Sequence, residues 1–293
     1  MQLAAFTDEI NRDDPQRALD LAAAWGLTHV EVRGLPGGRF PRLDDEALGD
    51  YGRRVADAGL QVSGVSPGIF KGPVDDLAAT GAVAEDLPRA CDWARRWGTN
   101  RVSCFGFARG DAGRSVDGAV TAPGQVVDRL GEMARIAAAH QCVLVLENEA
   151  VCWGDTGVEA ADLLRRVGAD NLRLCWDPGN AARAGSTDPY PGEYGQVRDL
   201  VDHVHLKNFD LDESRWSPME VGVVDWPGQL AALTADGYDG FLVIETHTEL
   251  PLADFGLTAD PSQDAAGLGE LSPREAATRR NLDYTRSLLA GSV

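Results

Sequence analysis

One regularity constrains this 293-residue chain more than any other: eight short apolar runs rich in β-branched residues alternate with longer segments of helical periodicity from end to end. The runs are Leu3–Thr7, His29–Arg33, Gln61–Ser66, Arg101–Phe105, Val143–Glu147, Leu172–Asp177, His203–Lys207 and Phe241–Glu245. Between them lie segments such as DPQRALDLAAAWG, DDEALGDYGRRVADAG and GVEAADLLRRVG, several closed by a glycine suited to a left-handed helix cap. Eight strand–helix units in this length predict a closed α/β architecture, the (β/α)8 barrel. Residues 1–293 are expected to form one domain, since no Pro- or Ser-rich linker divides them. An open doubly wound sheet normally places a GxGxxG turn after an early strand, and the sequence has none. The irregular stretch Leu250–Leu271, rich in Asp, Gly and Pro, is expected to be a loop that covers a site, meets another subunit or lies disordered.

Strand side chains alternate, so residues two apart share a face. Near the C-terminal ends of four runs this rule groups Glu31 with Arg33, Glu147 with Glu149, His205 with Lys207 and Glu245 with His247, while Asp177 closes a fifth in the sequence CWD. With these faces turned inward, charged groups converge at the barrel mouth, where barrel enzymes build their sites. Burying several carboxylates together costs several kcal/mol per ion unless a counter-charge is present, and a divalent cation supplies one. One imidazole with three carboxylates is an oxygen-rich set suited to Mn²⁺, the favoured ion, with Mg²⁺, Co²⁺ or Zn²⁺ as alternatives. Any one of Glu147, Asp177, His205 or Glu245 alone reads better as a helix cap, a surface acid or a hydrogen-bonded histidine. All four at equivalent ends of runs five to eight read as a ligand set for one metal ion.

Lysine usage singles out the same region. Of the 27 basic residues only two are lysines, Lys71 just after run three and Lys207 at the end of run seven. An ammonium is compact and its proton affinity tunable, unlike a guanidinium, so both lysines are expected to bind substrate or move a proton, Lys207 as a catalytic group. Lys71, Glu149, Asn180, His247, Glu31 and Arg33 are the expected substrate contacts, and Arg33, Arg109 and Lys71 are candidates for holding an anionic group. His29 and His203 are expected to be hydrogen-bonded inside the barrel, His140 to end a helix, and Asp155 with Thr156 to cap one. Trp153 and Trp216 are placed on an apolar wall against sugar carbons, in the core or as loop anchors.

Charge narrows the partners. Forty-six acidic against 27 basic residues give a formal net charge of −19, which repels a nucleic-acid backbone and an anionic membrane surface alike. A small sugar-like substrate is the expected partner, and a homodimer the base-rate assembly. Cys91, Cys104, Cys142, Cys152 and Cys175 lack a zinc-type spacing and read as buried free thiols in a reducing compartment. The opening MQLAAFTDEI lacks the basic and apolar regions of a signal peptide, and no apolar stretch is long enough to span a bilayer, so a cytoplasmic protein is expected.

Over nearly its whole length the chain resembles the xylose-isomerase-like TIM barrel superfamily of sugar-phosphate isomerases and epimerases. The resemblance is carried by FTDEI, HVEVRG, VSPGIFK, LENE with the following WGDTG, LCWDPGN, HVHLKN, GVVDWPG and VIETH. In that superfamily Glu, Asp, His and Glu from the last four strands hold the metal, and they fall here on Glu147, Asp177, His205 and Glu245. The resemblance implies metal-assisted proton transfer on a ketose or related carbonyl through a metal-chelated cis-enediolate, with Glu147 and Glu245 exchanging the proton on opposite faces. Three departures bear on substrate contacts: Asn180 where a His is frequent, Asn208 where an aspartate commonly follows the lysine, and Gly222–Val224 in place of a GEG turn.

These departures keep open a metal-dependent lyase or dehydratase of an inosose-like or keto-acid substrate, with Lys207 or His247 as the acid. A non-catalytic sugar-binding barrel or inactive subunit is the alternative of another class. The superfamily also includes endonucleases acting at abasic sites, which carry extra His ligands on strands three and four. Here VSGVSPGIF and RVSCFGF contain none, which together with the net charge of −19 opposes that activity.

Overall fold

The eight runs become the strands of one parallel sheet in a computed structural model that describes residues 1–112, 121–248, 251–258 and 267–291, with backbone alone for 77–85. The strands are β1 (Gln2–Ala5), β2 (His29–Val32), β3 (Gln61–Ile69), β4 (Arg101–Cys104), β5 (Val143–Glu147), β6 (Leu172–Trp176), β7 (Val201–Leu206) and β8 (Phe241–Ile244). Their order, β1-β8-β7-β6-β5-β4-β3-β2, follows the sequence around the sheet. A parallel bridge between Phe6 and Glu31 joins the two ends, so the sheet closes into the expected TIM barrel.

Helices lie on the outside because each amphipathic segment buries its apolar stripe on the strands. The helix Pro15–Ala24 starts where Asp14 accepts the amide of Arg17 and Pro15 occupies a first-turn position needing no donor. Gly157–Val167 begins at the cap Thr156 and ends at Gly168 in the left-handed region. The last helix, Pro273–Ala290, opens with a capping box between Ser272 and Glu275. Glu275 also pairs with Arg17 at 2.6 Å, tying the last helix to the first.

Most strand boundaries moved by one or two residues, β7 starting at Val201, and two shifts have a visible local cause. β1 stops at Ala5, because the Phe6 carbonyl accepts the amides of Glu9 and Ile10 and starts the helical turn Thr7–Ile10. β3 runs on to Ile69, with Val65 opposite Val102 and Ile69 opposite Cys104, so the strand bulges around Ser66–Gly68. All five cysteines are buried and free, as expected. Among the described residues no helix is long and apolar enough to cross a membrane. Of the irregular stretch Leu250–Leu271, residue 250 and residues 259–266 lie outside the described residues. Within it, Leu252–Phe255 form a short 3-10 turn, and the Leu268 and Glu270 carbonyls accept from Arg17.

Candidate active site

Each of the last four strands delivers one group to a common point at the C-terminal mouth. Glu147 ends β5, Asp177 follows β6, His205 is on β7 and Glu245 follows β8. One atom from each lies within 4.8 Å of all the others, and all four residues are buried. His205 Nδ1 stands 3.3 Å from Glu245 Oε2, 3.5 Å from Glu147 Oε1 and 3.9 Å from Asp177 Oδ2. This nitrogen is buried without a hydrogen-bond partner, and the buried Asp177 Oδ2 meets only the Lys207 ammonium, at 2.7 Å. A buried imidazole nitrogen is costly to leave unsatisfied, and with three carboxylates beside it the donor set fits a cation.

Charge specifies the cation further. Lys207, 1% exposed, places Nζ 2.7 Å from Asp177 Oδ2, 2.6 Å from Glu245 Oε2 and 3.9 Å from Glu147 Oε1. One ammonium against three carboxylates leaves two negative charges, which a divalent ion balances. The acidity of the groups reflects this excess. Burial pushes Asp177 up to about 6, with Lys207 offsetting it only in part. Burial also raises Glu245 and Glu147, but Lys207 and His247 hold the first well below the usual carboxylate range and His205 brings the second below it. Lys207 itself is held above its ordinary value, burial being outweighed by Asp177 and Glu245. Gly179, in the turn DPGN, makes room for the lysine: a Cβ there would lie 2.9 Å from Lys207 Cγ.

Supporting residues fix the set from below and behind. Glu31, 1% exposed, meets His203 Nε2 at 2.6 Å through one oxygen and faces His205 Nε2 at 3.5 Å through the other. His205 thus directs Nδ1 at the carboxylates while Nε2, which makes no hydrogen bond among the described residues, lies toward Glu31, the side from which a buried acid can orient a metal-binding imidazole. Glu31 was expected to touch substrate; instead it lies deeper in the lumen with both oxygens directed at histidines. Asn180 was placed in the same group, and its Nδ2 donates to Glu147 Oε1 at 2.9 Å while its amide is capped by Asp177. Asn148 holds the Asp177 backbone from both sides, accepting from its amide and donating to its carbonyl.

The half of the mouth formed by β1 and β2 is built differently. Arg33 bonds Asp8 at 2.9 Å, Glu9 at 2.5 Å and Glu245 at 2.6 Å. Glu9 in turn accepts the His247 amide and ring Nδ1, each at 2.9 Å, and Arg274 at 2.8 Å. Burial raises Glu9, but the His247 hydrogen bond and the Arg33 charge hold it far below the ordinary range. His247, in the left-handed region at φ 51°, brings Nε2 to 3.5 Å from Glu245 and sets its ring edge-on to Trp216. A cavity of about 490 Å³ opens here, lined by Arg33, Arg39, His247 and Trp216 among others.

On the opposite rim Glu149 is clamped between Lys71 at 2.7 Å and Arg183 at 3.2 Å. Trp216 faces Arg183 and Lys207, which places it on the wall of the mouth, whereas Trp153 is buried in the core beneath Arg109. Arg109 is not an open anion contact: it is buried against Glu159, Asp155 and the Cys152 carbonyl. Asn208 pins the segment Met219–Val224 through three bonds and does not reach the mouth charges. His140 caps its helix and pairs with Asp92, and His29 bonds Thr28 beside Phe241. Asp8, Glu9, Arg39 and Arg274 were not among the sequence candidates. The acids in FTDEI, directly after the first strand, were the available signal for two of them.

A sequence model of the family described as xylose isomerase-like TIM barrel matches residues 19–288. No curated protein matches the sequence. Among solved structures, a D-psicose 3-epimerase with D-tagatose from Clostridium cellulolyticum H10 superposes with a TM-score of 0.70 at 15% identity, covering 99% of each chain. A probable 3-DHS dehydratase involved in petrobactin synthesis, from Bacillus anthracis, gives 0.69 at 17% identity over 95% of this chain and 98% of that one. A xylose isomerase-like TIM barrel protein from Mycobacterium smegmatis in complex with magnesium gives 0.69 at 19% identity, over 99% and 97%. At these identities the likeness is one of fold.

Proposed function

The chain belongs to the xylose isomerase-like TIM barrel family, and on that premise we propose that it is a divalent-metal-dependent isomerase or epimerase of a sugar or sugar phosphate. The observation that carries this reading is the convergence of Glu147, Asp177, His205 and Glu245 from four successive strands, with His205 Nδ1 buried and without a hydrogen-bond partner. Those four residues are the proposed ligands, with Mn²⁺ favoured over Mg²⁺, Co²⁺ or Zn²⁺. A bound ion supplies Lewis-acid polarisation of a carbonyl and its neighbouring hydroxyl.

The remaining chemistry belongs to the protein. Glu147 Oε1 accepts from Asn180, and Glu245 accepts from Arg33 through Oε1 and from Lys207 through Oε2; these bonds support a reading of the two carboxylates as the proton acceptors and donors on opposite faces of the substrate. Lys207 lies against Glu245 and Asp177 and supplies a proton or a positive charge to oxygen. Trp216 provides the apolar wall, and Lys71 with Glu149 forms a polar rim for hydroxyl groups.

A second reading is a lyase that expels a β-hydroxyl from the same enediolate. It is favoured by Lys207, a buried ammonium beside the proton-exchanging Glu245, and by His247, whose Nε2 also faces that residue. Incubating ketoses and keto-inositols with the Mn²⁺-loaded protein in deuterated buffer separates the two. Carbon-bound deuterium in an isomerised product supports the first reading; loss of water from the product replaces it with the second. No exchange and no dehydration across the panel would remove both.

A further inference from the structure

Among the described residues the arginines around the cavity do not all form ion pairs. Asp8, Glu9, Arg12, Arg33, Arg39 and Arg274 supply its formal charges, four guanidinium groups against two carboxylates, in a chain whose net charge is −19. The two acids are already engaged: Asp8 by Arg33, and Glu9 by Arg33, Arg274 and His247. Arg39 and Arg12 form no ion pair among the described residues. A local excess of positive charge against so acidic a background is an anion-attracting field.

Arg39 is also aimed. It ends a small antiparallel hairpin in which Gly34 pairs with Arg39 and Leu35 with Gly38, and the next residue, Phe40, is fully buried against Trp97. The bulge of β3 leaves the Ser66 carbonyl free to accept from Arg39 Nε at 3.1 Å, and Ser66 Oγ accepts from one terminal nitrogen at 3.1 Å. The second terminal nitrogen makes no hydrogen bond among the described residues. A guanidinium held along one edge therefore presents its other donors to the cavity, in the fork geometry that suits carboxylate and phosphate oxygens. Gly68, at φ 71°, permits this placement, since a Cβ there would lie 2.5 Å from Arg39 Nε. Burial and the Arg33 charge push Arg39 down to about 10, so it stays protonated near neutrality while lacking a counter-ion.

We propose that Arg39, with Arg12 at the rim, is an anion subsite that binds a carboxylate or phosphate group of the substrate, the reacting carbonyl end of which lies toward Glu245 and Lys207. The substrate class is then an anionic hydroxycarbonyl compound, a sugar phosphate or a sugar-derived keto acid, and not a neutral free sugar. The cavity spans both ends, being lined by Arg39 on one side and by His247 and Trp216, the neighbours of Glu245 and Lys207, on the other. This inference rests on the reading of the mouth as an active site, but its test does not use turnover.

The test is calorimetric titration of the metal-stripped full chain, at constant ionic strength, with inorganic phosphate and separately with malonate. Saturable binding of at least one anion is expected, weakened about tenfold or more by Arg39→Gln and less by Arg39→Lys, which keeps the charge but loses the fork. Tighter phosphate indicates a phosphorylated substrate and tighter malonate a carboxylate. Arg12→Gln, at an exposed position, is expected to weaken binding about twofold to threefold and serves if Arg39→Gln does not fold. Equal binding by wild type and variants, or no saturable binding of either anion, overturns the subsite and leaves the metal reading intact. Failure of the metal reading would instead appear in a separate Mn²⁺ titration.

Discussion

The two halves of the barrel mouth handle charge in opposite ways. From β5 to β8, three carboxylates and an imidazole gather around a single ammonium and leave two negative charges unbalanced. From β1 to β2, carboxylates are outnumbered by arginines, and Arg39 and Arg12 form no ion pair with an acid among the described residues. Glu245 is where the halves meet, bonded to Arg33 on one side and Lys207 on the other. The difference teaches that the mouth is polarised: one end is suited to a cation, the other to an anion, and a molecule lying across it needs chelating oxygens at one end and negative charge at the other.

The largest effects should come from breaking the acidic half. Glu147→Gln and Glu245→Gln should each lower turnover about 10²–10⁴-fold with the fold preserved, as read by progress curves beside circular dichroism. Undiminished turnover in either variant would remove that residue from proton transfer. Arg33→Gln attacks the seam between the halves, leaving Asp8, Glu9 and Glu245 short of a buried counter-charge. A stability loss of about 3–5 kcal/mol is expected in urea denaturation, because removing one member of a buried ion-pair network strands the others. A change below about 1 kcal/mol would mean that Arg274 and Lys207 suffice alone.

Smaller effects sharpen the comparison by testing the supports. Glu31→Gln should weaken metal affinity about 10–100-fold without touching the proton-exchanging carboxylates, since it acts through the orientation of His205. Asn180→Ala frees one oxygen of Glu147 and should cost about 1 kcal/mol in transition-state stabilisation, read as a fall in kcat/KM of several-fold. Loss of activity as deep as that of Glu147→Gln would make Asn180 a direct substrate contact instead.

Much of this was legible in the sequence because it depends on strand order and two-residue alternation. Of the proposed ligands, Glu147 ends a strand, Asp177 and Glu245 follow one and His205 lies one residue before a strand's end, and both lysines mark the mouth, Lys207 beside those residues and Lys71 on the rim. Depth within the lumen was not legible. Glu31 and Arg33 share a face by alternation, yet two residues along a strand is about 7 Å, enough to bury one beneath His205 and leave the other at the seam. The basic half was hidden for a different reason. Glu9 lies in a helical turn, Arg39 in a hairpin, Arg274 in the last helix and His247 in a left-handed loop conformation, so no strand periodicity links them. Arg109 misled because its buried partners, Asp155 and Glu159, come from a loop and a helix 50 residues away.

The central claim is that the β5–β8 half binds one divalent ion. It is tested most directly by titrating the metal-stripped wild-type chain and Asp177→Asn with Mn²⁺ and measuring bound metal by mass spectrometry. One ion per wild-type chain, and weak or absent binding in the variant with its helical signal retained, is the predicted result. A wild-type chain that binds no divalent ion, or an Asp177→Asn variant that binds it as tightly, would contradict the account.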